Sequence, residues 1–289
     1  MFRGCYTAIV TPMKDNVPDL DKLGELIERQ IDAGIDGIVP VGTTGESATL
    51  SHDEHHSVVQ YTIKKVDSRV KVVAGAGSNS TAEAVALTKA AEAAGADGTL
   101  SISPYYNKPS AEGIARHFEA IAESTKLPII IYNVPGRTGK EIAVDTVDRL
   151  AEVENIVAIK EAGGSVDRAS KLVAIDGIDV ISGDDSLTLP MIAVGAIGVI
   201  SVTSNVVPKE MRDMVHAALA ERLSDARGLH HRLLALMGEL FTECNPAGAK
   251  TALKLMGLIN GEMRPPLCEL EPGNEVALAR VLKDLGLVS

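Results

Sequence analysis

The sequence predicts an α/β fold, a closed (β/α)8 barrel of the TIM type with a C-terminal helical appendage. Three observations point there. From the start to about residue 203, short runs rich in Val and Ile alternate with longer amphipathic stretches, the pattern of repeated βα units around a parallel sheet. Eight strand candidates can be counted, at residues 8–13, 37–42, 70–76, 98–103, 128–134, 156–160, 179–182 and 198–202. Neither GxGxxG nor GxxxxGK[ST] occurs, and an open doubly wound sheet usually has fewer strands and carries such a turn.

Between the strands, residues 20–33 have the apolar spacing of a surface helix. Ser51-His52-Asp53-Glu54 and Ser80-Thr81-Ala82-Glu83 both read as capping boxes, in which Ser and Glu side chains satisfy free backbone donors at a helix start. After Val207 the strand signal stops, and residues 208–241, 246–258 and 273–285 read as helices. The barrel core is therefore assigned to 1–207. Residues 208–289 supply the last barrel helix and an appendage packed on the barrel. Its core must be aliphatic, because the chain has no Trp and only 3% aromatics against 45% hydrophobic residues.

A net charge of −11 and the lack of a basic run argue against nucleic acid or an anionic membrane as partner. Met1-Phe2-Arg3-Gly4-Cys5 does not open a signal peptide, and no apolar stretch is long enough to span a bilayer, so a cytoplasmic protein is expected. Cys5, Cys244 and Cys268 are far apart in no metal-ligand spacing and are expected to stay reduced. The run His52-Asp53-Glu54-His55-His56 is neither HExxH nor HxxEH, so no metal site is assigned to it.

The most informative residue is Lys160, a lone lysine closing the run Asn155-Ile156-Val157-Ala158-Ile159. Burial disfavours the charged amine, and a neutral amine is a nucleophile suited to a Schiff base with a carbonyl substrate. Its bland alternative is a lysine that snorkels into solvent. Reactive groups of such a barrel sit where strands end. There stand Gly42-Thr43-Thr44-Gly45, whose donors suit a carboxylate, and Tyr132, which can relay a proton at a carbinolamine oxygen. Arg137, in the turn Pro135-Gly136-Arg137-Thr138-Gly139, offers a fork of donors to a second carboxylate. Singly, each also has an ordinary structural reading.

Together, Gly42-Thr43-Thr44-Gly45-Glu46-Ser47, Pro104-Tyr105-Tyr106-Asn107-Lys108-Pro109-Ser110, Tyr132-Asn133-Val134-Pro135-Gly136-Arg137-Thr138-Gly139, Ile159-Lys160-Glu161-Ala162 and Ser182-Gly183-Asp184-Asp185 resemble the motifs of the dihydrodipicolinate synthase family. Order and spacing match over essentially the whole chain. The resemblance implies a lyase that condenses pyruvate with L-aspartate 4-semialdehyde on the diaminopimelate route to lysine. It implies that Lys160 forms the imine, that Thr43, Tyr132 and Tyr106 make a proton relay, and that Tyr106 reaches in from a neighbouring subunit. Thr44 would hold the pyruvate carboxylate, Arg137 that of the semialdehyde, and Gly183 and Ile200 would line the pyruvate pocket. No metal or organic cofactor is implied. A homotetramer built as a dimer of dimers is. Ser47, Ala48, His52, His55, Gly77, Asn79, Glu83 and Tyr105 match the positions of lysine-sensitive members, which implies feedback inhibition by lysine. Two positions depart from the family pattern: Gly163, where threonine is common, and Cys244-Asn245-Pro246-Ala247-Gly248, which replaces a more proline-rich turn.

Two rival readings remain at this level. One is a pyruvate-dependent sugar-acid aldolase, a lyase for N-acetylneuraminate or a 2-keto-3-deoxy sugar acid, for which Arg137 is the discriminator: a polyhydroxylated substrate needs hydroxyls and amides there, a short semialdehyde a cation. The other is a non-catalytic barrel that senses a keto acid, which leaves a buried lysine and a relay without purpose.

Overall fold

In the computed structural model, which describes residues 1–289, eight parallel strands close into a barrel in which each strand pairs with its sequence neighbours and the last pairs with the first. They are β1 (Gly4–Ala8), β2 (Gly37–Val39), β3 (Lys71–Gly75), β4 (Gly98–Ile102), β5 (Ile129–Asn133), β6 (Ile156–Glu161), β7 (Asp179–Ser182) and β8 (Gly198–Ser201). Around them run α1 (Leu20–Asp32), α2 (His52–Val66), α3 (Thr81–Ala94), α4 (Ala111–Glu123), α5 (Val144–Ala151), α6 (Val166–Val173), α7 (Thr188–Ala193) and α8 (Pro208–Leu219). Then come α9 (Leu223–Glu239), α10 (Ala247–Leu255) and α11 (Pro272–Asp284). No helix is long and apolar enough to cross a membrane.

Every strand sends at least one residue into the barrel interior: Tyr6, Val39, Val73, Leu100, Ile130, Ala158, Ile181 and Ile200 form one buried cluster. Phe2 closes its lower end, edge-on to Tyr6 with ring centroids 6.1 Å apart. Room for these two rings comes from glycine. A Cβ on Gly37 would lie 2.1 Å from the Tyr6 ring, and one on Gly98 would lie 2.6 Å from Phe2. Outside the strands, a second cluster of 39 residues runs without a break from β1 and α1 through α8 into α9, α10 and α11, so barrel and C-terminal helices share one apolar core.

Three expectations need correction. The first strand is Gly4–Ala8 and not 8–13. Pro12 lacks the N–H that a central strand must donate, and Met13–Lys14 instead pairs antiparallel with Val17–Pro18. Beyond Ala8 the backbone is carried by Asn205, whose side chain donates to Ala8 O at 2.8 Å and accepts from Val10 N at 3.1 Å. The run 208–241 is two helices, broken where Glu221 takes a left-handed φ of 59°. The box at Ser51 is complete, but that at Ser80 has one arm: Ser80 caps Glu83 N, while the Glu83 carboxylate turns away to Ser78 and His52. The remaining predicted strands lie within two or three residues of those observed, β2 ending before Pro40 because proline cannot donate to the ladder.

Candidate active site

From Ala158 onward β6 alternates strictly: Ala158 and Lys160 face inward, Ile159 and Glu161 outward under the helices. Lys160 is 6% exposed, and its Nζ lies 4.2 Å from the centroid of the Tyr132 ring, its register partner on β5. Burial pulls its amine down from 10.5 to about 8, against the opposing charges of Asp185 and Asp184 and helped by Arg137. Burial also pushes the Tyr132 hydroxyl up to about 12, with Thr43 opposing the rise, so this phenol keeps its proton at neutral pH.

Open space beside the amine comes from Gly183, just past β7. Its N–H donates to Glu161 O at 2.7 Å, and a Cβ there would stand 2.9 Å from Lys160 Cε. Ile200 on β8 is fully buried in the same interior cluster. The turn after β2 carries Thr43 and Thr44, and its bend is closed by Gly45 N and Ser47 N, both donating to Gly42 O. Thr44 is buried, and its Oγ1 accepts Asn245 Nδ2 at 3.0 Å, which leaves the hydroxyl hydrogen free for an incoming carboxylate. Arg137 sits at the exposed rim on the single helical turn Pro135–Thr138. Its only partners are distant, Asn245 O at 3.5 Å and Cys244 Sγ at 3.6 Å. Such a guanidinium is weakly held and available to a carboxylate.

The structure does not bring Tyr106 to this cluster within one chain. It is 88% exposed at a left-handed φ of 72°. Of the residues expected to bind lysine, two pairs touch: His52 Nε2 meets Glu83 Oε1 at 2.7 Å, and Asn79 Nδ2 donates to Tyr105 O at 3.1 Å. Ser47 and Ala48 form the short turn before α2, and Gly77 must be glycine because a Cβ would lie 2.3 Å from Ile102 N. His55 is buried, and burial pulls its imidazole down to about 4, so it is neutral and sits beneath the others.

Four groups escaped the sequence reading. Asn245 holds Thr44 from 201 residues away. Lys250, buried in the apolar stretch of α10, pairs with Glu46 beside the threonine turn. Asp185 accepts Val202 N, Thr203 N and Thr203 Oγ1 at 2.9–3.0 Å. Glu161 pairs with Arg168 at 3.0 Å. The detectable signal was the lysine at 250 among small and apolar residues; a hydrogen bond spanning about 200 residues leaves no local mark.

The model of the dihydrodipicolinate synthetase family matches residues 1–285. The chain is 52% identical over 290 residues to the 4-hydroxy-tetrahydrodipicolinate synthase of Geobacter sulfurreducens, covering 100% of both. Its fold superposes with a TM-score of 0.98 on the chloride-inhibited dihydrodipicolinate synthase of Acinetobacter baumannii complexed with pyruvate, 45% identical and covered in full on both sides. A third similar protein is the synthase of Cyanidioschyzon merolae with lysine bound, 39% identical, TM-score 0.96, with 99% of each chain covered.

Proposed function

This chain belongs to the dihydrodipicolinate synthetase family, and from that premise we propose how its residues make 4-hydroxy-tetrahydrodipicolinate from pyruvate and L-aspartate 4-semialdehyde, a lyase reaction of diaminopimelate and lysine biosynthesis. The observation that carries the assignment is the Lys160 amine, buried at the C-terminal end of a barrel strand and seated over Tyr132. With its amine near 8 rather than 10.5, the neutral nucleophilic fraction at pH 7 is about a tenth, roughly 300-fold above that of an ordinary lysine. Thr44 holds the pyruvate carboxylate while the amine adds to the ketone. Tyr132 donates its proton to the carbinolamine oxygen, which leaves as water, and Thr43 and a neighbour's Tyr106 restore that proton from solvent.

Asp184 and Asp185 lie close enough to favour the charged amine, and they favour the iminium for the same reason. A methyl proton then passes through the Tyr132 relay to solvent and leaves an enamine, which attacks the aldehyde carbon of the second substrate while Arg137 holds its carboxylate and the relay returns a proton to the aldehyde oxygen. The amine of the condensed product displaces Lys160 and closes the ring. Arg137 separates this from the sugar-acid aldolase, since a cation at the rim suits a carboxylate and not a chain of hydroxyls. Borohydride reduction in the presence of pyruvate should attach one reduced pyruvyl group to Lys160, and turnover should occur with the semialdehyde and not with a sugar acid. A label on another lysine refutes the mechanism.

The same reading includes a lysine site at Ser47, Ala48, His52, His55, Gly77, Asn79, Glu83 and Tyr105, supported by the lysine-bound relative and by a Glu83 carboxylate not used in capping. His52 and Ser78 each occupy one Glu83 oxygen, which leaves acceptor sites on both for an ammonium. Calorimetry with millimolar lysine tests it, and absence of binding refutes it. Tetramer assembly and location in the cytoplasm belong to the proposal too. Exposure of Tyr106 supports a site completed across subunits. Mixing Lys160→Ala with Tyr106→Phe protein should restore activity; no recovery after proven subunit exchange returns Tyr106 to its own chain.

A further inference from the structure

Behind Lys160 lies a layer of charge that substrate does not touch. β5 and β6 pair with Tyr132 opposite Lys160 and, one residue on, Asn133 opposite Glu161. Strand alternation turns the first pair into the barrel and the second out under the helices. Glu161 is 1% exposed. Its carboxylate accepts Asn133 Nδ2 on both oxygens, at 2.9 and 3.0 Å, Arg168 Nε at 3.0 Å and Gly163 N at 2.7 Å. Arg168, also buried, donates to Ile142 O at 2.6 Å, and Asn133 Oδ1 accepts Ile142 N at 3.0 Å. One carboxylate thus gathers β5, β6, the segment after β5 and the first turn of α6.

Desolvation offsets most of the attraction in such a buried pair, so net stability is a weak reason to keep it and a specified geometry a better one. Gly163 bears on this directly. A Cβ there would lie 2.5 Å from Glu161 Oε1 and 3.4 Å from Asn133 Nδ2, so any side chain at that position displaces the carboxylate or its partner.

We propose that Glu161 is a positioning residue: clamped by Asn133, Arg168 and Gly163, it locks β5 to β6 so that the Lys160 amine is held over the Tyr132 ring where the imine forms. The proposal rests on Lys160 being the imine-forming residue. The charged groups facing Glu161 are Arg168 from α6 and, through Arg168 at 3.3 Å, Glu141 from the segment after β5. On the β7 side it faces Ser182, which does not titrate.

The test measures the rate of borohydride-trapped pyruvyl adduct on Lys160 by intact mass and peptide mapping, between about pH 5 and 9, with thermal unfolding in parallel. Glu161→Gln and Asn133→Ala should slow imine formation at saturating pyruvate by between about tenfold and a hundredfold, the scale of a misplacement of roughly 1 Å at reacting atoms. Asn133→Ala removes the link to β5 and leaves Arg168 and the Gly163 N–H on the carboxylate, so it keeps the test decisive should Glu161→Gln fail to fold. Arg168→Met removes the cation that opposes the burial-driven rise of the Glu161 carboxyl, so a second acid-side fall in rate should appear, added to the roughly tenfold per pH unit that protonation of Lys160 imposes. Adding Glu161→Gln to that variant should remove this second fall and leave the Lys160 limb in place. A clamp that mattered only for folding would lower the folded fraction and leave the profile in place. Folded variants that trap pyruvate at the unmodified rate, or a second acid-side fall in the Arg168→Met profile that survives Glu161→Gln, overturn the proposal. If the unmodified protein traps no pyruvate on Lys160, the mechanism fails instead.

Discussion

Replacing Lys160 by Met should make this protein more stable while abolishing its chemistry. The amine is pulled by burial from 10.5 to about 8, a gap that corresponds to about 3 kcal/mol of differential interaction. The unfolded chain holds the proton up to about 10.5 and the folded chain only to about 8, so between these values unfolding takes up a proton and stability rises with pH. Below about pH 8 both states are charged and the folded one bears the full desolvation cost. Met fills a similar volume without charge. Lys160→Met should therefore gain up to about 3 kcal/mol at pH 7, the gain shrinking as pH rises from 8 towards 10.5. Urea unfolding of both proteins at pH 7 and pH 10, with matched slopes, measures it. A variant less stable at pH 7, or a gain that grows with pH, would refute the burial of a strained amine at this position.

The trapping rate of unmodified protein with pyruvate should rise about tenfold from pH 6 to 7, then flatten above about pH 8, as expected for an amine titrating near 8. A tenfold rise per pH unit continuing beyond 9 would mean an ordinary lysine. Arg137→Ala should leave imine formation intact but weaken use of the semialdehyde by about 1.5–3 kcal/mol, the value of a hydrogen bond to a charged group; unchanged apparent constants for both substrates would remove Arg137 from the site. Gly183→Ala would place a Cβ 2.7 Å from Ala162 Cβ and 2.9 Å from Lys160 Cε, so the strand ends must shift around the amine and trapping should slow by at least about tenfold. Equal rates would show that the pocket has slack at Gly183.

What the sequence by itself determined was everything written in short-range periodicity and in local chemistry. The count of eight strands, the parallel order implied by alternation with helices, and the inward aim of Lys160 at a strand end depend on residues within one element. So does the Ser51 cap, whose partners are three residues apart. Where prediction slipped, a nonlocal partner had changed the local outcome. β1 begins at Gly4 because closure pairs it with Gly198 and Tyr6 with Gly37, and no apolar run marks that register. Glu83 leaves its cap because His52 and Ser78 compete for the carboxylate. Tertiary structure alone decided that Asn245 orients Thr44, that Lys250 and Glu46 tie the C-terminal helices to the threonine turn, and that Glu161 stands behind Lys160. These contacts join residues up to about 200 apart, and they form only once barrel closure brings the strand ends to one rim. It is the same closure that removes water from Lys160 and turns a common surface residue into a nucleophile.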